Sequence, residues 1–276
     1  MKRVIVIGLM AAGAAAAADL PPGLILRLNC DEFRNSGTVL PDVTGSNNNG
    51  RVSGARWSPA GRLGGGCEFS GKNSSVLVPH APSLTCQRMT VCLWFKALAA
   101  GTADRALIEK GADDGYALYI AGGAQKDARK GKLRVTVNGL DCLSDAAVAD
   151  NVWHHGAVTY DGEGVKLYVD GTLQKQTVAW RGNLAANTHD LTLGTNPSSP
   201  AHRTKDMAFE GTLDEVMLFN RVLTDTELKD VIAATRPKFT RQQVERRLKE
   251  LKDLLDRGLI LQDFYERKVK ECEVTP

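Results

Sequence analysis

The segment Gly66-Cys67-Glu68-Phe69-Ser70-Gly71-Lys72-Asn73 nearly matches the phosphate-loop pattern G-x-x-x-x-G-K-[ST]. Its last position is Asn, so the hydroxyl that would hold Mg²⁺ is missing. The residues that follow, Ser75-Val76-Leu77-Val78-Pro79, read as a strand, whereas a phosphate site needs a helix N-terminus there. A nucleotide site is excluded. His154-His155 is a second conspicuous pair, but strand neighbours point to opposite faces and cannot converge on one metal. His80, His189 and His202 are single residues without a spaced partner, so no zinc pattern exists. Asp214-Glu215 diverge for the same reason, while a glycosidase needs two carboxylates facing one bond. There is no G-x-S-x-G elbow for an esterase.

The six cysteines are Cys30, Cys67, Cys86, Cys92, Cys142 and Cys272, with no C-x-x-C pair, which argues against a zinc ribbon or redox motif. In an exported chain they predict disulfides, with at least one bridge inside residues 30–142; spacing does not choose the pairing. The competing reading is buried thiols used as small hydrophobes. Cys272 is distant and is expected to be unpaired or intermolecular. Trp57, Tyr119 and Trp180, with Tyr116 and Tyr168, offer rings for a sugar or protein platform, or for the core. The loop Asn196–Asp206, rich in Pro, Ser and His, is long enough to shape a site.

Short apolar runs separated by Gly, Asp, Asn, Pro and Ser must position these residues. Val91, Leu93 and Phe95 alternate with Thr90, Cys92 and Trp94. Leu133, Val135 and Val137 alternate with Arg134 and Thr136, and Val165, Leu167 and Val169 with Lys166, Tyr168 and Asp170. Period two predicts strands with one buried face. Asp170-Gly171 predicts a type I′ hairpin turn. Regular strands without intervening helices predict a sandwich or jelly roll.

The period changes after Phe219. Thr224-Asp225-Thr226-Glu227 is a capping box opening a helix to about Ala234, and Arg236-Pro237 breaks it. Thr240-Arg241-Gln242-Gln243 opens another, with Val244, Leu248, Leu251 and Leu255 on one face and Gly258 as its stop. Gln262 to Glu271 can form a second helix, so the chain ends in a small helical hairpin.

The start of the chain reads as a secretory signal: Met1-Lys2-Arg3 is basic, Val4 to Met10 apolar, and Ala11 to Ala18 small, with cleavage expected before Asp19. The apolar part is shorter than the about 20 residues a membrane span needs. No Cys lies there to carry a lipid. The 276 residues have a net charge of +3, from 35 basic and 32 acidic side chains, which gives no reason for a nucleic-acid partner. No stable membrane insertion is expected after cleavage. Aromatics make up only 6%, thin for a surface that depends on stacking rings.

An ordered series of motifs resembles the laminin-G-like, concanavalin A-like jelly-roll family over residues 24–234. It runs from Leu26-Arg27-Leu28-Asn29-Cys30-Asp31-Glu32 through Asp42-Val43-Thr44-Gly45, Asn49-Gly50, Glu68-Phe69-Ser70-Gly71 and Met89 to Phe95. It continues through Val152-Trp153-His154, Tyr160-Asp161-Gly162 and Leu167 to Gly171, and closes on Phe209 to Val216. The resemblance implies a structural Ca²⁺ ion held where the opening acid, the Asn-Gly loop and the closing acid meet, at Asp31, Asn49 and Asp214. Glu32 and Glu215 are further contributors. Some concanavalin-like folds carry a catalytic Glu-x-Asp-x-x-Glu strand; this sequence has none. Residues 241–272 resemble a short C-terminal helical (SHOCT-like) module, through Leu248 to Leu251, Leu254 to Ile260 and Phe264 to Lys268. Leu261 departs from it by lacking a capping hydroxyl.

The chain thus reads as signal 1–18, jelly roll 24–234, linker 235–240 and helical hairpin 241–272. The fold class is mainly β: a two-sheet antiparallel jelly-roll sandwich followed by a small α-helical hairpin. The leading functional reading is an exported, Ca²⁺-stabilised, non-catalytic protein binding a glycan or protein partner, with self-association through the hairpin. A carbohydrate-active enzyme and a structural envelope component are the alternatives. The carbohydrate reading rests on the family resemblance.

Overall fold

The computed structural model describes residues 20–31, 33, 37–111, 113–124, 126–179, 182, 184, 187–195, 207–237, 241–270 and 272. Residues 1–18, expected to be a signal segment, lie outside the described residues, as do Glu32, Trp180 and the loop Asn196–Asp206. The chain divides into two compact units, the first ending at Thr235 and the second beginning at Arg236.

In the first unit the strands are β1 (Leu24–Leu28), β2 (Val39–Leu40), β3 (Gly50–Ser53), β4 (Arg56–Ser58), β5 (Gly66–Ser70), β6 (Ser75–Val78), β7 (Met89–Ala97) and β8 (Arg105–Lys110). Then come β9 (Tyr116–Ile120), β10 (Lys132–Val137), β11 (Leu140–Ala147), β12 (His154–Tyr160), β13 (Gly164–Val169), β14 (Thr172–Ala179), β15 (Leu191–Leu193) and β16 (Glu210–Phe219). Among the described residues they form two sheets. One runs β14-β13-β12-β7-β16-β5-β4 with β1 also on β16; the other runs β11-β10-β9-β8-β15-β6-β3-β2. The strand ladders are antiparallel, so the fold is the expected sandwich. β1 and β5 share one side of β16, where Leu28 lies opposite Val216 and Cys67 opposite Leu213. β7 takes the other side. The start and end of the sandwich are therefore neighbours.

Alternation fills the space between the sheets. Val91, Leu93 and Phe95 meet Leu118, Ile120, Leu133 and Val135 in the main core. The sequence predicts only one buried face for β7, but both are buried. Cys92 joins Tyr168, Met217 and Phe219 in a second cluster, closed by Leu228 and Val231 of helix α1 (Asp225–Ala234). β7 is central, and α1 covers its outer side. The capping box of α1 forms as its sequence predicts: Glu227 N donates to Thr224 Oγ1 at 3.2 Å, and Thr224 N to Glu227 Oε2 at 2.8 Å. At its other end Trp94 Nε1 donates to Thr235 Oγ1 at 2.8 Å. Asp170 and Gly171 have φ of 51° and 75°, the left-handed pair a type I′ turn requires. The phosphate-loop lookalike is β5 and the turn that carries the chain across to β6 in the other sheet.

The six cysteines are free and buried, so the bridge expected within residues 30–142 is absent from this structure. Their apolar packing accounts for the burial: Cys30, Cys67, Cys86 and Cys142 lie in the main core and Cys92 in the second cluster.

The second unit holds helices α2 (Arg241–Asp256) and α3 (Gln262–Lys270). Val244, Leu251 and Cys272 are buried together, with Leu248, Ile260 and Tyr265 packed on them. Gly258 ends α2 at φ 66°, with Leu259 N bonded to Leu254 O at 2.9 Å and Gly258 N to Leu255 O at 2.8 Å. This is a Schellman stop. Among the described residues no helix is long and apolar enough to cross a membrane.

Candidate functional site

A bulge shifts the register of β16 against β7 between Asp214 and Met217, and Glu215 takes φ 50° there. Asp214 Oδ2 accepts from the backbone N of Arg62 at 2.7 Å and of Leu63 at 2.9 Å. Asp31 Oδ1 accepts from Gly65 N at 2.7 Å, and its Oδ2 from Asn29 Nδ2 at 3.2 Å. The opening and closing acids thus hold one loop, Gly61–Gly65. The loop needs its glycines. A Cβ on Gly64 would lie 2.2 Å from Asp31 Oδ1, and one on Gly61 would lie 2.1 Å from Gly65 O. Glu215 is bonded to Arg27, and Arg62 lies over the Trp94 ring at 4.4 Å. Burial, reinforced by Glu215 and then Asp31, pushes the Asp214 carboxyl well above the usual carboxylate range.

This arrangement brings together Asp31 and Asp214 but engages Asn49 differently. Asn49 Oδ1 accepts from Asp42 N at 2.8 Å, and Asp42 in turn receives Arg27 N, Thr44 N and Asn48 N at 3.1 Å each. The amide oxygen beside Asp31 is that of Asn29. Its Oδ1 is buried and has no hydrogen-bond partner. Two carboxylates and an orphaned amide oxygen are hard donors of the kind Ca²⁺ takes, and crowded negative charge is what a cation relieves. Among the described residues, no group of three or more His, Cys, Asp or Glu side chains is arranged to hold a metal. The sequence reading missed Asn29, two residues before Asp31.

A separate cleft of about 390 Å³ opens at the edge of the second sheet, between Val39 with residues 47–51 and the segment 79–81. Asn47, Asn48, Asn49, Arg51 and His80 give it polar groups; Val39, Pro79 and Ala81 give it apolar wall. Asn47 is held at φ 61°, a conformation Asn tolerates well. Asn48 is buried, its Nδ2 donating to Ile25 O at 3.1 Å, so one wall is rigid. Behind His80 lies the fully buried side chain of Lys110. Its Nζ meets His80 Nδ1 at 3.2 Å, Asn187 Oδ1 at 3.0 Å and His189 O at 2.6 Å. Burial lowers the Lys110 pKa, opposed by the charges of Asp190 and Asp114. His80 N donates to Asp190 Oδ1 at 2.8 Å, which fixes this wall too. The sequence reading left His80 as a single loop residue. Lys110 was not read as a site residue.

The ring residues fare differently. Tyr119 is fully buried, its hydroxyl bonded to Glu109 Oε2 at 2.9 Å and Arg134 lying 5.3 Å above its ring. It offers no face to a ligand. Tyr116 and Tyr168 are buried as well. Trp57 is half-buried on edge strand β4, packed on the main core and close under Gly65. His154 and His155 diverge as expected. His154 bonds Asp170 and Asp150, while His155 turns its ring edge-on to Trp94 at 5.2 Å.

The family model for the concanavalin A-like lectin/glucanases superfamily, Laminin_G_3, matches residues 70–229. No curated protein sequence matches the chain. Among solved structures, the binding domain of Paraclostridial Mosquitocidal Protein 1 is similar at TM-score 0.59 and 17% identity, over 75% of this chain and 51% of that one. Domain 4 of AbnA, a GH43 extracellular arabinanase from Geobacillus stearothermophilus solved with arabinotriose, is similar at TM-score 0.57 and 19% identity. It covers 75% of this chain and 97% of its own. The binding domain of botulinum neurotoxin DC, solved with rat synaptotagmin II, is similar at TM-score 0.57 and 15% identity, over 78% and 52%. The chain spans about half the length of these toxin binding domains. At such identities the likeness concerns the fold. The family match covers more than half of the sequence, and the chain belongs to the concanavalin A-like lectin/glucanases superfamily.

Proposed function

We propose that this protein is an exported, non-catalytic recognition protein whose sandwich binds a glycan in the cleft between residues 47–51 and 79–81. The observation that carries this reading is the cleft's chemistry. Amides, an imidazole and a guanidinium serve sugar hydroxyls, and a small apolar wall serves the C–H faces of a ring. The arabinanase domain solved with arabinotriose supports a saccharide on this fold, and the neurotoxin domain solved with synaptotagmin II makes a protein ligand the second outcome. The sequence of residues 1–18 supports export. Titrating a saccharide panel against the full chain, with a cleft variant alongside, tests the proposal.

A structural Ca²⁺ ion belongs to the same reading. Asp31, Asp214 and Asn29 would hold it, neutralising the buried carboxylates that join the start of the sandwich to its end. Residues 241–272 are proposed as a SHOCT-like self-association element. Leu259, Leu261 and Phe264, each exposed, supply an apolar surface for it.

A further inference from the structure

Cys30 follows β1 and Cys67 lies in β5, the two strands that share one side of β16. Both side chains are fully buried in the main core. They meet at Leu213: Cys67 is its ladder partner, and Cys30 Sγ lies 3.7 Å from its carbonyl oxygen. Their proximity shows in the Cys30 thiol, which Cys67 first and burial next hold well above the usual thiol range. Cys30 lies just past the end of β1 with a left-handed backbone, φ 59°. The other cysteines of this unit lie elsewhere: Cys86 beyond the turn at Pro82–Leu84, Cys92 on the outer face of β7 and Cys142 in β11.

We propose that Cys30 and Cys67 are an oxidation site and form a disulfide when a small-molecule or protein disulfide is supplied. The bridge would be a covalent counterpart of the neighbouring bond from Gly65 N to Asp31 Oδ1. With oxidised glutathione, one thiolate attacks a glutathione sulfur and expels a glutathione thiolate. The second protein thiolate then attacks the mixed disulfide and expels the other. One S–S bond breaks and one forms; the protein loses two protons and two electrons, and two reduced glutathione molecules carry them away. Burial favours the protonated thiol, so the exchange belongs to folding rather than to the finished fold.

The test is to refold the full chain from denaturant with reduced and oxidised glutathione, quench with an alkylating agent, and map peptides without reduction. The expected result is a cross-linked peptide joining Cys30 to Cys67, with Cys86, Cys92, Cys142 and Cys272 alkylated. Cys30→Ser and Cys67→Ser each abolish it. The bridged form should melt on the order of 10 °C above the reduced form. Bridges joining other cysteines, or Cys30 and Cys67 both alkylated in correctly refolded protein, would overturn the proposal. If the double serine variant does not refold, peptide mapping of the unmutated chain still decides it.

Discussion

Arg27 of β1 and Glu215 of β16 form a two-point ion pair, Nε to Oε2 and Nη2 to Oε1, each at 2.8 Å. The Glu215 side chain is 1% exposed and that of Arg27 20%. Such a pair adds little over an apolar substitute, but removing one partner strands a buried charge. Arg27→Met should therefore cost roughly 3 kcal/mol in urea unfolding, and the double variant Arg27→Met with Glu215→Gln should recover most of it. A single variant as stable as the parent would show that water reaches Glu215.

His154 and His155 are neighbours with opposite titration behaviour. Burial opposes protonation of His154, but the bonds and charges of Asp170 and then Asp150 outweigh it, so its pKa lies above 6.5. Burial pushes His155 down to about 4, with Asp170 working against the shift. The stabilisation from His154 is complete below the unfolded value and fades as pH rises through its raised pKa. That from His155 is present above the unfolded value and is lost as pH falls toward about 4. Imidazole resonances followed by NMR should titrate on opposite sides of 6.5. Asp170→Asn should lower the His154 midpoint. Coincident midpoints would contradict the assignment.

Lys110 connects the core to the cleft. To receive the ammonium, His80 Nδ1 must be the bare nitrogen, which puts the ring proton on Nε2. Lys110→Met removes the donor to Asn187 Oδ1 and His189 O and should cost about 2 kcal/mol. It should also weaken saccharide binding by loosening His80. Unchanged stability, with tight binding retained, would show that the network is dispensable.

If Asp31, Asp214 and Asn29 hold Ca²⁺, the ion binds the folded chain alone. At a hundredfold excess over its Kd it adds about 2.7 kcal/mol. The melting temperature in calcium should exceed that in EDTA, and Asp214→Asn or Asn29→Ala should abolish the difference. Equal melting temperatures would remove the ion and leave the loop held by backbone N–H groups.

Much of the fold was legible in the sequence. Period-two runs located β7, β10 and β13, Asp170-Gly171 located a hairpin, and Thr224 to Glu227 located the start of α1. What stayed hidden depends on strand order, which local patterns do not carry. Alternation left the Thr90, Cys92 and Trp94 face of β7 as its unburied side, yet α1 covers that face. Tyr119 looked like a platform because nothing local reveals Arg134 above it. Asp31 and Asp214, grouped by the family resemblance, hold the same loop. Asn49 was grouped with them, but its oxygen is taken by Asp42 N. The cleft escaped because its walls, residues 47–51 and 79–81, meet only when β3 pairs with β6.

The most direct test of glycan recognition is calorimetric titration of the leading saccharides from a glycan array into the full chain and into Arg51→Ala. Arg51 is exposed in the cleft, so its loss should leave the fold intact. We predict at least one saccharide that binds without being cleaved, with affinity reduced on the order of tenfold in the variant, the loss of one charged hydrogen bond. Binding to no saccharide, release of cleaved product, or equal affinity in the two proteins would contradict this account.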